Sequence, residues 1–180
     1  VNLVGYKATV VIFDLNGEYS SLGMTNDGKR NMYYDKIHTL APSQNFKVAL
    51  EQLPLNTVMG ILVNALHLPG TSAREFRRLW KMLKEQGKLN MQNLGEAIRD
   101  LNCNQHVRDA LASRFHSFAN SGFFTDCPGE ATLLDESLFK SKDIGGAIIV
   151  NLKNTSNIDR QIVVEYVLGK LVDSLSNWKL

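Results

Sequence analysis

The chain has 180 residues, of which 44% are hydrophobic and 21% charged, a balance that excludes a disordered chain and, with such short apolar runs, a membrane-spanning one. Its net charge of +2 excludes a general attraction to nucleic acid, so any basic contact surface must be local. Two cysteines cannot build a disulfide framework, and together with the lack of a signal segment they favour the reducing cytoplasm.

The first predicted element is a strand at residues 8–13, where the run A-T-V-V-I-F is typical of strands buried on both faces of parallel sheets. The polar stretch D-L-N-G-E-Y follows it directly at 14–19. Open α/β sheets bind their ligands at the carboxyl ends of strands, so Asp14 and Glu18 are candidate site residues. The alternative is that Asp14 caps a turn and Glu18 is solvated.

A polar turn at residues 26–29 leads into a predicted short strand at 31–34. The pattern G-x-x-x-x-G-K that ends at Lys29 nearly matches the phosphate-binding P-loop. However, Arg30 stands where that loop has a Ser or Thr, and strand-like residues follow where a P-loop needs a helix N-terminus. We therefore interpret this segment as a polar turn.

A helical zone is predicted next. Residues 55–66 are apolar almost all round, which is typical of a central helix. Ser72 and Glu75 form an S-x-x-E capping box and predict a second helix that runs to about residue 86, before Gly87.

The second helix carries a stripe of basic residues, here called the basic stripe. At about 100° per residue its members fall within a sector of about 80°, opposite an apolar face. They are Arg74, Arg77, Lys81, Lys84 and Lys88. The stripe is a candidate nucleic-acid contact surface, and the alternative is an ordinary solvated face.

Asn90 and Asn104 predict the caps of two further helices, which end near residues 101 and 120. Four helices with short connections indicate a compact bundle. The residues predicted to form its core are Leu62, Leu66, Phe76, Leu79, Leu83, Leu94, Ile98, Leu101, Leu111 and Phe115.

Four potential zinc ligands lie in or near the last helix of this zone. They are Cys103, His106, His116 and Cys127. A structural zinc site pairs two close-set ligands with another close-set pair, and the second pair is missing here. We predict no metal site.

Strand character returns at residues 147–152, followed by a polar loop and a helix with apolar residues at helical spacing. Two isolated βα pieces cannot make a stable sheet, so the bundle is interpreted as an insertion into a larger α/β domain. The predicted domains are residues 1–41 and 141–180 as parts of the α/β core, and 42–140 as the inserted bundle.

The segment D-x-x-G-E-Y after the first strand resembles a segment of HerA-like ATPases, relatives of FtsK and of the conjugation motors. Their usual form is D-P-H-G-E-Y, from which this chain departs at Leu15 and Asn16. In that family a helical bundle follows, then a strand that reads I-D-L, a polar loop and a helix that contains Arg or Gln. Residues 148–152 and 159–164 correspond in order, with Asn151 in place of the expected acid.

The resemblance implies part of a RecA-like P-loop domain with few strands, from a homohexameric motor that uses ATP and Mg²⁺ to translocate or unwind double-stranded DNA. It also implies a nuclease or another DNA-processing protein as a partner. It places Asp14 and Glu18 near the γ-phosphate, where carboxylates orient water or accept hydrogen bonds from hydrated Mg²⁺.

The chain itself has no complete Walker A loop, and no D-E dyad closes an apolar strand as in a Walker B motif; Asp135 and Glu136 follow a loop-like stretch. These features, with the start at Val1, predict a middle fragment of such an ATPase, inactive alone and without a cofactor of its own. The alternative is a stand-alone helical module that binds protein or DNA and performs no nucleotide chemistry. A complete P-loop encoded upstream would exclude the alternative.

Overall fold

A computed structural model of the chain describes residues 9–132, 134 and 145–176. The chain groups into two compact units. The first, here called the sheet unit, comprises Val1–Phe46 and Thr132–Thr155, and the second, the helical unit, comprises Lys47–Ala131 and Ser156–Leu180. The predicted domain boundaries, which divide the chain after residues 41 and 140, stay a prediction.

Among the described residues, three strands come first, then four α-helices, then two strands and a last α-helix. In chain order, the strands are β1 (Thr9–Asp14), β2 (Ile37–Leu40), β3 (Val48–Ala49), β4 (Phe124–Thr125) and β5 (Gly146–Asn151). The α-helices are α1 (Leu55–Gly60), α2 (Gly70–Glu85), α3 (Met91–Arg99), α4 (Gln105–Ala119) and α5 (Asn157–Ser176). No helix among the described residues is both long and apolar enough to cross a membrane.

The sheet unit contains a parallel three-stranded sheet in the order β1-β5-β2. Its central strand β5 is buried along its length up to Val150, whereas β1 is half-buried except at Asp14. The prediction of a strand buried on both faces was therefore wrong for β1, which pairs only with β5 among the described strands, and describes β5 instead. The predicted α/β class with a small parallel sheet is confirmed.

The short strand predicted at residues 31–34 was wrong. Asn31 donates a hydrogen bond from its side-chain Nδ2 to the Leu22 carbonyl at 2.9 Å, and its Oδ1 accepts one from the Tyr33 N–H at 2.9 Å. Such side-chain bonds to nearby backbone groups compete with strand pairing and favour turns. A helical turn at Tyr34–Lys36 follows, and β2 starts only at Ile37.

The central helix predicted at residues 55–66 is present but changes its pitch. An α-helical start, α1, continues into a π-helical stretch at Ile61–Ala65, where the Leu66 N–H donates to the Ile61 carbonyl at 3.0 Å. Asn64 on this stretch donates to a carboxylate oxygen of Glu165 on α5 at 2.7 Å. The last helix therefore packs within the helical unit.

The core of the helical unit is as predicted: all ten residues named from the sequence are buried. An aromatic cluster extends it towards α5, because the Phe123 ring meets Tyr166 edge-on with 5.4 Å between ring centroids. Trp80 on α2 is 1% exposed and also belongs to this core.

Two of the three predicted helix caps are confirmed. The side chain of Asn90 accepts a hydrogen bond from the Asn93 N–H, and that of Asn104 accepts one from the His106 N–H. The capping box at Ser72 was wrong, because α2 begins two residues earlier, at Gly70, after Pro69. The buried Ser72 hydroxyl instead donates to the Val107 carbonyl on α4 at 3.1 Å.

Leu83 offers a test of the helical core. It is 6% exposed, so Leu83→Ala removes a buried side chain and leaves a cavity, and we expect a loss of about 2–5 kcal/mol of unfolding free energy. Urea unfolding followed by circular dichroism measures it. The neighbouring Met82 is 39% exposed, so Met82→Ala is the control and should change the free energy by no more than about 0.5 kcal/mol. Equal small effects of the two variants would contradict the assigned helix face.

Candidate functional site

Asp14 ends β1 and organises the turn that follows. Its side chain is 2% exposed. Oδ1 accepts hydrogen bonds from the N–H groups of Gly17 at 2.8 Å and Glu18 at 3.0 Å, and Oδ2 accepts one from the Tyr19 N–H at 3.0 Å. A carboxylate has about four acceptor positions, so the turn uses most of them. Asp14 therefore builds the loop, as the turn-cap interpretation of the sequence held.

The electrostatics of Asp14 agree with this geometry. Burial disfavours the charged carboxylate and raises its pKa, but the hydrogen bonds from the backbone N–H groups of Tyr19, Glu18, Gly17 and Asn16 together outweigh that effect. The pKa of Asp14 therefore lies below its ordinary value of 3.8. At neutral pH the ionised carboxylate holds the turn by charge-assisted hydrogen bonds.

We expect Asp14→Asn to destabilise the protein in a pH-dependent way. The amide keeps one acceptor oxygen for Gly17 and Glu18 but presents an NH₂ group to the Tyr19 N–H, which loses its acceptor. Because the folded-state pKa is depressed, the carboxylate stabilises fully above the ordinary value of 3.8, and this contribution is lost as pH falls through the lower folded value. Thermal unfolding should show a lower Tm for the variant at neutral pH and a narrowing difference towards about pH 2. A constant difference across this range would contradict the assignment.

Glu18 lies in the same turn but presents its carboxylate to solvent. Its Oε1 accepts one long hydrogen bond, from the Asn16 side chain at 3.3 Å. Most of its acceptor positions are therefore open to water or to a ligand. Of the two carboxylates predicted as site residues, the geometry favours Glu18 for chemistry and Asp14 for its support. The catalytic role of either stays a prediction.

The end of β5 repeats this arrangement beside β1. Asn151 lies opposite Asp14 in the parallel register, and the Leu152 N–H donates to the Asp14 carbonyl at 2.8 Å. The Asn151 side chain accepts a hydrogen bond from the Lys153 N–H at 3.1 Å. Asn151, which replaces an acid of the family pattern, therefore shapes the turn after β5. Asparagine side chains commonly bond to the backbone two residues on, so the sequence alone could have predicted this contact.

The two turns pack against each other through Gly17 and Lys153. Gly17 has a φ of +77°, a conformation that favours glycine. A Cβ atom placed on it would lie 2.7 Å from Cδ of Lys153, closer than packed carbon atoms approach. The Lys153 stem therefore covers the glycine, and the carboxyl edge of the sheet brings Glu18 and Lys153 to adjoining turns. Sequence reasoning missed Lys153, because no local pattern relates it to Gly17.

The basic stripe lies in the helical unit, on α2 and just beyond it. All five side chains are exposed, and Lys88 lies past Glu85, where the helix ends. No ion pair joins any of the five to an acid within the described residues, whereas the adjacent Arg78 pairs with Glu75 at 3.5 Å. The stripe thus presents uncompensated positive charge. Whether it binds nucleic acid stays a prediction.

The other two patterns from the sequence have simpler structures. The P-loop-like segment is a turn, as interpreted: Met24 and Arg30 form an antiparallel bridge, and the Thr25 N–H donates to the Lys29 carbonyl at 2.8 Å. Cys103 is half-buried and Cys127 exposed. Among the described residues, no three His, Cys, Asp or Glu side chains are grouped to hold a metal ion. Asp135 and Glu136 lie outside the described part of the chain.

Adjacent parallel strands that end in polar turns, here after β1 and β5, place the chain in the class of open α/β domains, which bind ligands at the carboxyl edge of the sheet. A family model described as "Helicase HerA, central domain" matches residues 2–171. The chain therefore belongs to the HerA helicase central-domain family, and the resemblance seen in the sequence is confirmed. No curated protein and no solved structure matches the chain.

The HerA family implies that the full-length protein uses ATP and Mg²⁺. The turn after β1, at the carboxyl edge of the sheet, fits only part of a site for ATP and Mg²⁺. The N–H groups of Gly17, Glu18 and Tyr19 all donate to Asp14, so they are not free to cradle a phosphate. Glu18 keeps open acceptor positions for water, and Lys153 supplies a cation in the adjoining turn. These residues fit one wall of a nucleotide site, but the N–H groups of this turn do not fit its phosphate cradle.

Proposed function

We propose that this chain is the part of a hexameric HerA-like ATPase that supplies one wall of the nucleotide site and a DNA-contacting helix, in a motor that translocates or unwinds double-stranded DNA. Family membership over residues 2–171 carries the proposal. The solvent-facing carboxylate of Glu18 at the carboxyl edge of the sheet supports the assignment of the nucleotide side.

In this proposal each residue of the first turn has a separate task. Bound Mg²⁺ and ATP supply the phosphoryl group and the cation that balances its charge. Glu18 accepts a hydrogen bond from the attacking water and orients it, because its exposed carboxylate accepts only one long hydrogen bond and keeps its other acceptor positions open. Asp14 acts through the backbone, since it fixes the N–H groups of residues 17–19 and thereby the position of Glu18.

The basic stripe is proposed to contact DNA phosphates. Its members are free of acidic partners among the described residues, and lysine and arginine contacts to phosphates give sequence-independent binding, as a translocating motor requires. A nuclease or other DNA-processing protein is the proposed partner of the assembled motor.

ATP turnover by the full-length protein and by the isolated 180-residue chain tests the proposal. We expect turnover by the full-length protein that rises with duplex DNA, and none by the chain, because the chain lacks a complete Walker A loop. Metal-dependent turnover by the isolated chain would overturn the fragment interpretation. A full-length protein that binds a protein or DNA but no nucleotide would instead support a stand-alone interaction module.

A further inference from the structure

We propose that Lys153 contacts the terminal phosphate of the bound nucleoside triphosphate, from a turn in which its stem packs on Gly17. This inference rests on the proposed function, since it needs a nucleotide at the carboxyl edge of the sheet. It assigns a phosphate-contacting residue to the turn after β5.

The position of Lys153 is built by both turns of the edge. The Asn151 side chain accepts a hydrogen bond from the Lys153 N–H at 3.1 Å. This contact sets the direction of the backbone after β5. The Thr155 hydroxyl closes the same turn on the Leu152 carbonyl at 2.8 Å. The stem of Lys153 then packs on Gly17, where a methyl group would collide with its Cδ. A lysine stem held against a glycine loses less freedom on binding an anion than one that extends into water.

The turn after β1 carries two acidic side chains, so a phosphate can bind beside it only if a cation lies nearby. Asp14 is ionised and Glu18 is an exposed acid in the same turn, so the first turn by itself repels a phosphate. Its N–H groups cannot offset that repulsion, because three of them donate to Asp14. An ammonium group in the adjoining turn is a compact charge with three donors, the form in which lysine binds phosphates.

Equilibrium binding of two probes to the full-length protein tests the inference. The probes are the non-hydrolysable ATP analogue adenylyl imidodiphosphate and ADP, both with Mg²⁺. Lys153→Met keeps the stem that covers Gly17 and removes the charge. We expect it to weaken the ATP analogue by about 10- to 100-fold, as for loss of one charged hydrogen bond, and to leave ADP within about twofold. Lys153→Arg keeps the charge and should restore most of the affinity.

Lys29→Met is the matched control, because Lys29 is an exposed lysine of the same unit that pairs with Asp27 at 2.9 Å in a different turn. It should bind both probes as the wild type does. An unchanged affinity of Lys153→Met for the ATP analogue, or equal losses for both probes, would overturn the inference while leaving the proposed function intact. Wild-type protein that binds neither probe would overturn the proposed function itself.

Discussion

Glu18→Gln should lower kcat for ATP hydrolysis by the full-length protein about 10²- to 10⁴-fold, the usual contribution of a group that orients or deprotonates water. Glutamine keeps the size and hydrogen bonding of the side chain but removes its charge. Glu18 is exposed and carries one hydrogen bond at 3.3 Å, so the substitution should leave the fold unchanged. KM should hold, because an interaction made mainly in the transition state affects kcat alone. Steady-state kinetics at saturating ATP measure both values.

Two comparisons make this test specific. Asp27→Asn removes an exposed acid from the distant polar turn, where it pairs with Lys29, and should leave kcat unchanged. Asp14→Asn should lower kcat less than Glu18→Gln, since Asp14 acts by holding the turn, and its main effect should appear in Tm. A kcat for Glu18→Gln within about twofold of the wild-type value would show that residues 14–19 only connect a strand to a turn and take no part in hydrolysis.

Removal of three charges from the basic stripe should weaken duplex DNA binding and flatten its salt dependence. Each lost phosphate contact lowers the slope of log affinity against log salt by about 0.9, so changing Arg77, Lys81 and Lys84 to Gln should lower it by about 2.7. All three side chains are exposed, so stability should change little. Fluorescence anisotropy of a labelled duplex, titrated with full-length protein at several salt concentrations, gives the slope.

Adjacent arginines on α2 supply the control for this experiment. Arg77 belongs to the stripe and has no acidic partner among the described residues, whereas Arg78 is paired with Glu75. Arg77→Gln alone should reduce the slope by about 0.9, and Arg78→Gln should not change it. An unchanged slope in the triple variant would leave the stripe as a solvated face.

The helical core could be predicted from the sequence because burial there follows a local period. The 3.6-residue repeat by itself predicts that Leu79 and Leu83 face the core, and both are buried. The capping box at Ser72 failed for the opposite reason. The carbonyl of Val107, which its hydroxyl binds, comes from another helix, and no local pattern records that contact.

The site could be predicted only in part. The predicted strand that ends in an acid indicated Asp14 and Glu18 as site residues. The sequence could not tell which of the two carboxylates is buried in the turn and which is exposed, because that depends on the N–H groups that donate to Asp14. The place of Lys153 beside Gly17 could not be predicted from local sequence. It depends on the parallel pairing of β1 with β5, which brings together two turns that lie far apart in the chain. Which strand is central depends on the same pairing, so the burial of β1 was overestimated.

The order of strands in the sheet has a consequence for how the protein is made. β1 and β2 flank β5 and are synthesised early, whereas β5 emerges only after the chain has passed through β3, β4 and the helices α1 to α4. The sheet thus has a high contact order, while most helical contacts are local and form fast. We expect α1 to α4 to form on the ribosome before β5 is made, so β1 and β2 lack the strand that joins them until β5 is inserted between them. During that interval the nascent chain is most prone to aggregation and most dependent on chaperones.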